Sequence, residues 1–147
     1  MRMASKAIAL LITVALCLLL AATVLAGPKT KRVSVVVDAT SAQVKGSKQK
    51  QLRVTAQLDS SFARCERQRS VLLYRSANGA LSGPAIGKAT SQGGGAKGSV
   101  TITGTSSTKI KPTDEFLAIA AQRKVKIKGK AYVCKRGVSP AFSANSV

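Results

Sequence analysis

The chain has 147 residues, which is enough for one domain and too few for two well-packed ones. Its 24 Lys and Arg residues outnumber 5 Asp and Glu residues, and histidine is absent, so the net charge is +19. Such a charge attracts polyanions and anionic surfaces at long range. The lack of histidine and the scatter of the acids argue against acid–base catalysis, and we expect no enzymatic activity, no cofactor and no metal site.

The first 26 residues have the order of a secretory signal peptide. A positively charged start precedes an apolar run over 7–20, and Val24-Leu25-Ala26 fits the small-x-small rule for cleavage. Cleavage after Ala26 leaves 121 residues with a net charge of +17. The alternative is an uncleaved anchor, since the 20 residues of 7–26 are just enough to span a bilayer. We predict a cleaved protein, secreted or held in the cell envelope, with no stable membrane insertion.

Cleavage also determines which cysteines remain. Cys17 is lost with the signal peptide, and Cys65 and Cys134 stay in the mature chain. Exported domains usually pair two distant cysteines, and closing a loop of this length stabilises a fold by roughly 4 kcal/mol on the chain-entropy estimate. We therefore predict a disulfide between Cys65 and Cys134. The alternative is a pair of unconnected buried thiols.

The mature sequence reads as short β-prone runs separated by turn residues. The clearest run, 52–58, alternates with period two, as a half-buried strand does. Its inward-facing residues are expected to be Leu52, Val54, Ala56 and Leu58, and its outward-facing ones Arg53, Thr55 and Gln57. The other runs are 33–37, 69–75, 86–90, 99–103, 116–121 and 131–135.

The turn and loop residues between the runs support the same interpretation. Asn78-Gly79 is a hairpin signal, and 93–98 is a glycine-rich flexible connection. The segment 116–124 also fits a short helix, although Pro112 before it favours a strand. About seven strands predict an all-β protein with one antiparallel β-sandwich, of immunoglobulin-like or transthyretin-like type, over 27–138. Residues 139–147 are predicted to be a flexible tail.

A series of short motifs lies between the two cysteines. In chain order they are Cys65 with its basic neighbours, Val71-Leu72-Leu73-Tyr74-Arg75, Ile86-Gly87, Gly98-Ser99-Val100, Phe116-Leu117-Ala118 and Cys134. This order resembles a pattern found in small secreted bacterial domains. The resemblance implies a prealbumin-like sandwich without catalytic residues, and it leaves the function open. The chain departs from the pattern by having Phe116 where tyrosine is common and by an insertion over 105–112.

The strongest candidate for a functional surface is the segment 123–130, in which lysines alternate with aliphatic residues. In an extended strand, alternate residues project from one face about 6.7 Å apart, near the spacing of phosphates along a relaxed polyanion. We therefore predict an anion-binding stripe formed by Lys124, Lys126, Lys128 and Lys130. The alternative is that these lysines protect an exposed sheet edge from aggregation.

Two functions fit these features. The first is a non-enzymatic secreted or envelope-associated module that acts by surface contact, for example with an anionic cell-envelope polymer. The second is a cationic effector that binds anionic polymers or lipid surfaces by charge alone. Specific nucleic-acid recognition is not expected, because single-strand platforms need several aromatic faces and only Tyr74 and Tyr132 are available for stacking.

Overall fold

Antiparallel strands form most of the described part of the protein, and two of them, with 10 and 11 residues, are longer than the short runs that the sequence predicts. The computed structural model describes residues 30–92 and 98–144, so the predicted signal peptide (1–26) and most of the glycine-rich connection lie outside the described residues. No helix within the described part is long and apolar enough to cross a membrane. Its strands are β1 (Lys31–Val33), β2 (Val36–Lys45), β3 (Gln51–Asp59), β4 (Ser70–Ala77), β5 (Ala80–Thr90), β6 (Gly98–Thr105), β7 (Glu115–Ala120), β8 (Arg123–Ile127), β9 (Lys130–Cys134), β10 (Gly137–Val138) and β11 (Phe142–Ser143), with a 3₁₀ turn at Ala63–Cys65.

The large sheet is antiparallel, in the order β10-β7-β4-β5-β6-β3-β2, and β11 also pairs with β7. Its two halves are joined where Gly87 of β5 pairs with Gly104 of β6. A Cβ atom on Gly87 would lie 2.8 Å from the Cα atom of Gly104, so only glycine permits this approach. The sheet curls and brings its two ends together, where a Cβ atom on Gly137 would lie 2.7 Å from the carbonyl oxygen of Val35.

This curled antiparallel sheet confirms the predicted all-β fold class. The residues of β3 that the alternation placed inside, Leu52, Val54, Ala56 and Leu58, are all fully buried. Arg53 is exposed as predicted, whereas Gln57 is only half-exposed. Val54 and Ala56 lie opposite Ile102 and Val100 of β6, so aliphatic side chains from neighbouring strands fill the core.

A small sheet, in the order β1-β9-β8, packs on this core. β8 and β9 form an antiparallel hairpin, whereas β1 runs parallel to β9, with Val33 opposite Cys134. Val33 and Cys134 are buried, and Val125 and Tyr132 pack against the core cluster. The inner face of the small sheet therefore belongs to the core. Its outer face carries the alternate residues of each strand, because successive side chains point to opposite faces.

Strand β7 occupies the segment for which a helix was the alternative. All five residues from Phe116 to Ala120 are buried. Phe116, Ala118 and Ala120 belong to the core cluster, and Leu117 and Ile119 between them point to the opposite face. Burial on both faces explains the absence of alternation in this stretch.

The prediction of a flexible tail from residue 139 is wrong for residues 139–144. The Ser139 hydroxyl oxygen accepts a hydrogen bond from the Ala118 amide, and the Ser139 amide donates one to the Ala118 carbonyl. Strand β11 pairs with β7, and the ring centroids of Phe142 and Phe116 are 6.3 Å apart. The segment is ordered because it completes the hydrogen bonding of β7 and covers Phe116, which its turn-like composition does not reveal.

Candidate functional site

The predicted disulfide is present and joins two distant parts of the chain. Cys65 lies on the 3₁₀ turn within residues 60–69, here named the Cys65 loop, and Cys134 ends β9. The two sulfur atoms are 2.01 Å apart, and the Cα atoms are 5.4 Å apart. Because Cys134 lies directly opposite Arg123 in the hairpin, the disulfide positions the Cys65 loop beside the beginning of β8.

Noncovalent contacts hold the loop in the same place. The Arg123 guanidinium donates hydrogen bonds to the carbonyl oxygens of Arg67 and Gln68, at 2.8 and 2.9 Å. The rings of Phe62 in the loop and Tyr132 in β9 stack with centroids 5.1 Å apart. Tyr132 therefore packs against Phe62, although from the sequence it was a candidate for stacking on nucleic-acid bases.

A buried arginine anchors the base of the loop. Arg69 is fully buried, and its guanidinium donates hydrogen bonds to the carbonyl oxygens of Cys65, Ala121 and Lys135. Burial lowers the pKa of Arg69, and the positive charge of Arg123 lowers it further. An arginine remains protonated at neutral pH, so these carbonyl dipoles stabilise a charge that pairs with no acid among the described residues. Arg69 thereby ties the loop to the ends of β7 and β9.

Between the Cys65 loop and β8 lies an open cleft of about 500 Å³. Five positively charged side chains line it, namely Arg64, Arg67, Arg123, Lys124 and Lys126. No carboxylate lines it within the described part of the chain. Glu66, the acid nearest to these arginines in sequence, is buried, and its carboxylate accepts a hydrogen bond from the Ser60 amide at 2.9 Å. We name this feature the cationic cleft.

Two of the four predicted stripe lysines, Lys124 and Lys126, contribute to the cleft. Both are exposed on β8, whereas the alternate residues Val125 and Ile127 are half-buried. The alternation predicted for this strand is therefore correct. The binding role of the lysines stays a prediction, and so does edge protection, because β8 is an edge strand of the small sheet.

The other two stripe lysines lie elsewhere, so the predicted single row of four is wrong. Lys128 and Gly129 have φ angles of 45° and 77° and form the two-residue turn after β8, which requires positive φ at both positions. Lys130 is opposite Ile127 in β9 and projects from the face that carries Ile127. The strand ends at Ile127 because the turn reverses the chain there.

The sequence interpretation missed the arginines of the Cys65 loop. Arg64 and Arg67 flank Cys65, and Arg123 follows them by more than fifty residues. A usable signal was nevertheless present. A predicted Cys65–Cys134 bond places the basic residues around Cys65 next to whatever strand pairs with Cys134, and the segment 123–130 is the nearest candidate.

Comparison with known proteins does not assign the chain to a family. No protein-family model matches it, and no curated protein matches it. The resemblance to prealbumin-like domains therefore stays a prediction. No group of three or more His, Cys, Asp or Glu side chains that could hold a metal ion occurs within residues 30–92 and 98–144.

Proposed function

We propose that this domain is a non-enzymatic binding module that holds an anionic cell-envelope polymer in the cationic cleft. The main support is the convergence of positive side chains from two separate segments. The Cys65 loop supplies Arg64 and Arg67, and β8 supplies Arg123, Lys124 and Lys126. Like charges in proximity repel one another, and a bound anion relieves that repulsion.

The rigidity of the cleft walls also supports binding. A flexible loop loses conformational entropy when it binds a ligand, and this loss weakens the affinity. Here the disulfide and the two hydrogen bonds from Arg123 hold the loop against the sheet without a ligand. The planar guanidinium groups of Arg64 and Arg67 suit phosphate, sulfate or carboxylate oxygens, which they can bind through two N–H groups at once.

The proposed compartment lies outside the cytosol. Disulfides form and persist in oxidising compartments and are rare in the cytosol, and Cys65 and Cys134 are paired. The signal-peptide pattern of residues 1–26 supports the same location. An envelope polymer that carries phosphate or carboxylate groups would be available to the domain there.

The second candidate function is a cationic effector that binds by charge alone. The observation that favours it is the net charge of +17 predicted for the mature chain. The two functions differ in what they require of the surface. A shaped site depends on particular positive side chains, whereas a charge-only binder depends on their total number.

A pair of matched variants separates the two functions. The cleft variant replaces Arg64, Arg67, Lys124 and Lys126 by Gln, and leaves Arg123 to hold the loop. The control variant replaces four exposed lysines near the β2–β3 turn, Lys45, Lys48, Lys50 and Lys109, by Gln. Both lose four charges. Affinity for long-chain polyphosphate is measured by isothermal titration calorimetry at several salt concentrations.

We expect the cleft variant to lose about tenfold or more in affinity and to show a flatter salt dependence, because fewer counterions are released. The control should lose less than about threefold. Equal losses in both variants would favour the charge-only effector. Absence of polyphosphate binding by the wild-type protein at physiological salt would overturn both functions.

A further inference from the structure

The outer face of the small sheet extends the positive surface beyond the cleft. Arg32 of β1 lies opposite Val133 of β9, and Val133 lies opposite Lys124 of β8. The three residues therefore occupy one row across the sheet and share one face. Because adjacent strands are roughly 4.8 Å apart, the backbones at Arg32 and Lys124 are about 10 Å apart.

The neighbouring residue on β1 faces the other way. Lys31 lies opposite Tyr132, whose side chain packs towards the core. Successive side chains of a strand point to opposite faces, so Lys31 and Arg32 are both exposed but belong to different surfaces. This pair provides a comparison in which charge and position along the chain are nearly constant and only the face differs.

We infer that the anionic partner is a linear polymer that leaves the cationic cleft at Lys124 and crosses the three strands of the small sheet to reach Arg32. This inference rests on the proposed function of the cleft. It changes the direction expected from the sequence, in which the polymer would follow β8 along a row of lysines. The row from Lys124 to Arg32 runs across the strands, and Lys128 and Lys130 lie off it.

The surface chemistry favours a polymer over a lipid bilayer. The residues between the positive side chains on this face, Ala131 and Val133, are half-buried. The large apolar side chains that are exposed within the described residues are Val36, Leu81 and Val138, which lie on strands of the large sheet. The outer face of the small sheet thus offers positive charge without a large, fully exposed apolar side chain to insert among lipids.

The test compares Arg32→Gln with Lys31→Gln in the mature protein. Each variant is titrated with long-chain polyphosphate and with tripolyphosphate, a chain too short to fill the cleft and also extend to Arg32. We expect Arg32→Gln to weaken binding of the long chain about fivefold and to flatten its salt dependence, because one phosphate contact is lost. Tripolyphosphate binding should change less than about twofold, and Lys31→Gln should change neither ligand by more than that.

The outcomes separate this inference from the proposed function. If the four-residue cleft variant loses affinity while Arg32→Gln and Lys31→Gln behave alike, the route across the small sheet is wrong and the cleft function stands. If the cleft variant binds long-chain polyphosphate as tightly as the wild type does, the proposed function is wrong, and the inference that rests on it is wrong as well. Binding to vesicles that contain phosphatidylglycerol is measured for the same variants. If Arg32→Gln abolishes strong vesicle binding and weakens binding of long and short polyphosphate equally, the partner is a membrane and the inference of a linear polymer is wrong.

Discussion

In the large sheet, aliphatic side chains such as Leu52, Val54 and Leu58 are fully buried on the face that meets the core. In the small sheet, whose inner face also belongs to the core, the adjoining Cys65 loop is held by a disulfide and by the hydrogen bonds of Arg69 and Arg123. The large sheet therefore depends mainly on burial of apolar surface, whereas the small sheet and its loop combine such burial with specific bonds. This difference explains how a strongly positive surface can be held in place beside the core.

The largest expected effect is a charge placed in the apolar core of the large sheet. Val54→Asp should destabilise the protein by about 4 kcal/mol or more, because Val54 is fully buried and an aspartate there would have no partner. The matched control is Arg53→Asp at the next, exposed position, which should cost under about 1 kcal/mol. Urea denaturation measures both. Similar losses would mean that burial does not dominate this sheet.

Loss of the disulfide tests how the small sheet and the Cys65 loop are held. Replacing Cys65 and Cys134 by Ser should cost roughly 4 kcal/mol in the free energy of unfolding, since the bond closes a loop with a sequence separation of 69. Native-state hydrogen exchange should also show faster opening at β9 than at β3. The wild-type protein treated with a reductant is the control for the substitutions themselves. A loss below about 1 kcal/mol would show that the other contacts suffice.

Removal of the buried guanidinium should have a somewhat smaller effect. Arg69→Met fills similar space but leaves the carbonyls of Cys65, Ala121 and Lys135 without their donor. Because hydrogen bonds to charged groups contribute about 1.5–3 kcal/mol each and methionine restores some packing, we expect a loss of about 3 kcal/mol. Arg69→Lys should recover only part of it, since one ammonium group cannot reproduce the arginine fork. Wild-type stability in Arg69→Met would show that packing replaces these bonds.

The smallest effect is expected at a second arginine network, on the large sheet. Arg75 forms an ion pair with Asp114 at 3.3 Å and donates a hydrogen bond to the Ser106 hydroxyl at 2.8 Å. Both charged side chains remain partly exposed, so water and salt screen the pair. Arg75→Met should cost about 1 kcal/mol, measured by thermal denaturation at low and high salt. If Arg75→Met destabilised the protein as much as Arg69→Met, burial would not explain how much each arginine contributes to stability.

Local features of the sequence were sufficient for much of the fold. The alternation of 52–58 correctly predicted which residues of β3 are buried, because successive side chains of a strand point to opposite faces whatever its neighbours are. The turn Asn78-Gly79 was also correct, since both residues have positive φ. The tail was not predicted, because the order of 139–144 comes from contacts with β7, more than twenty residues earlier.

The sequence by itself determined the all-β class, the alternation of β3, the positive charge and the two cysteines that remain after the predicted cleavage. The first three follow from residue type and near-neighbour spacing, and the pairing of the cysteines follows from their number in an exported chain. Only the tertiary structure decided that Arg64 and Arg67 meet Lys124 in one cleft, that Arg32 shares a row with Lys124, and that Lys130 projects from the opposite face. These relations depend on strand pairing, which is selected by how distant segments bury their apolar faces together. Residue spacing within one segment does not carry that information.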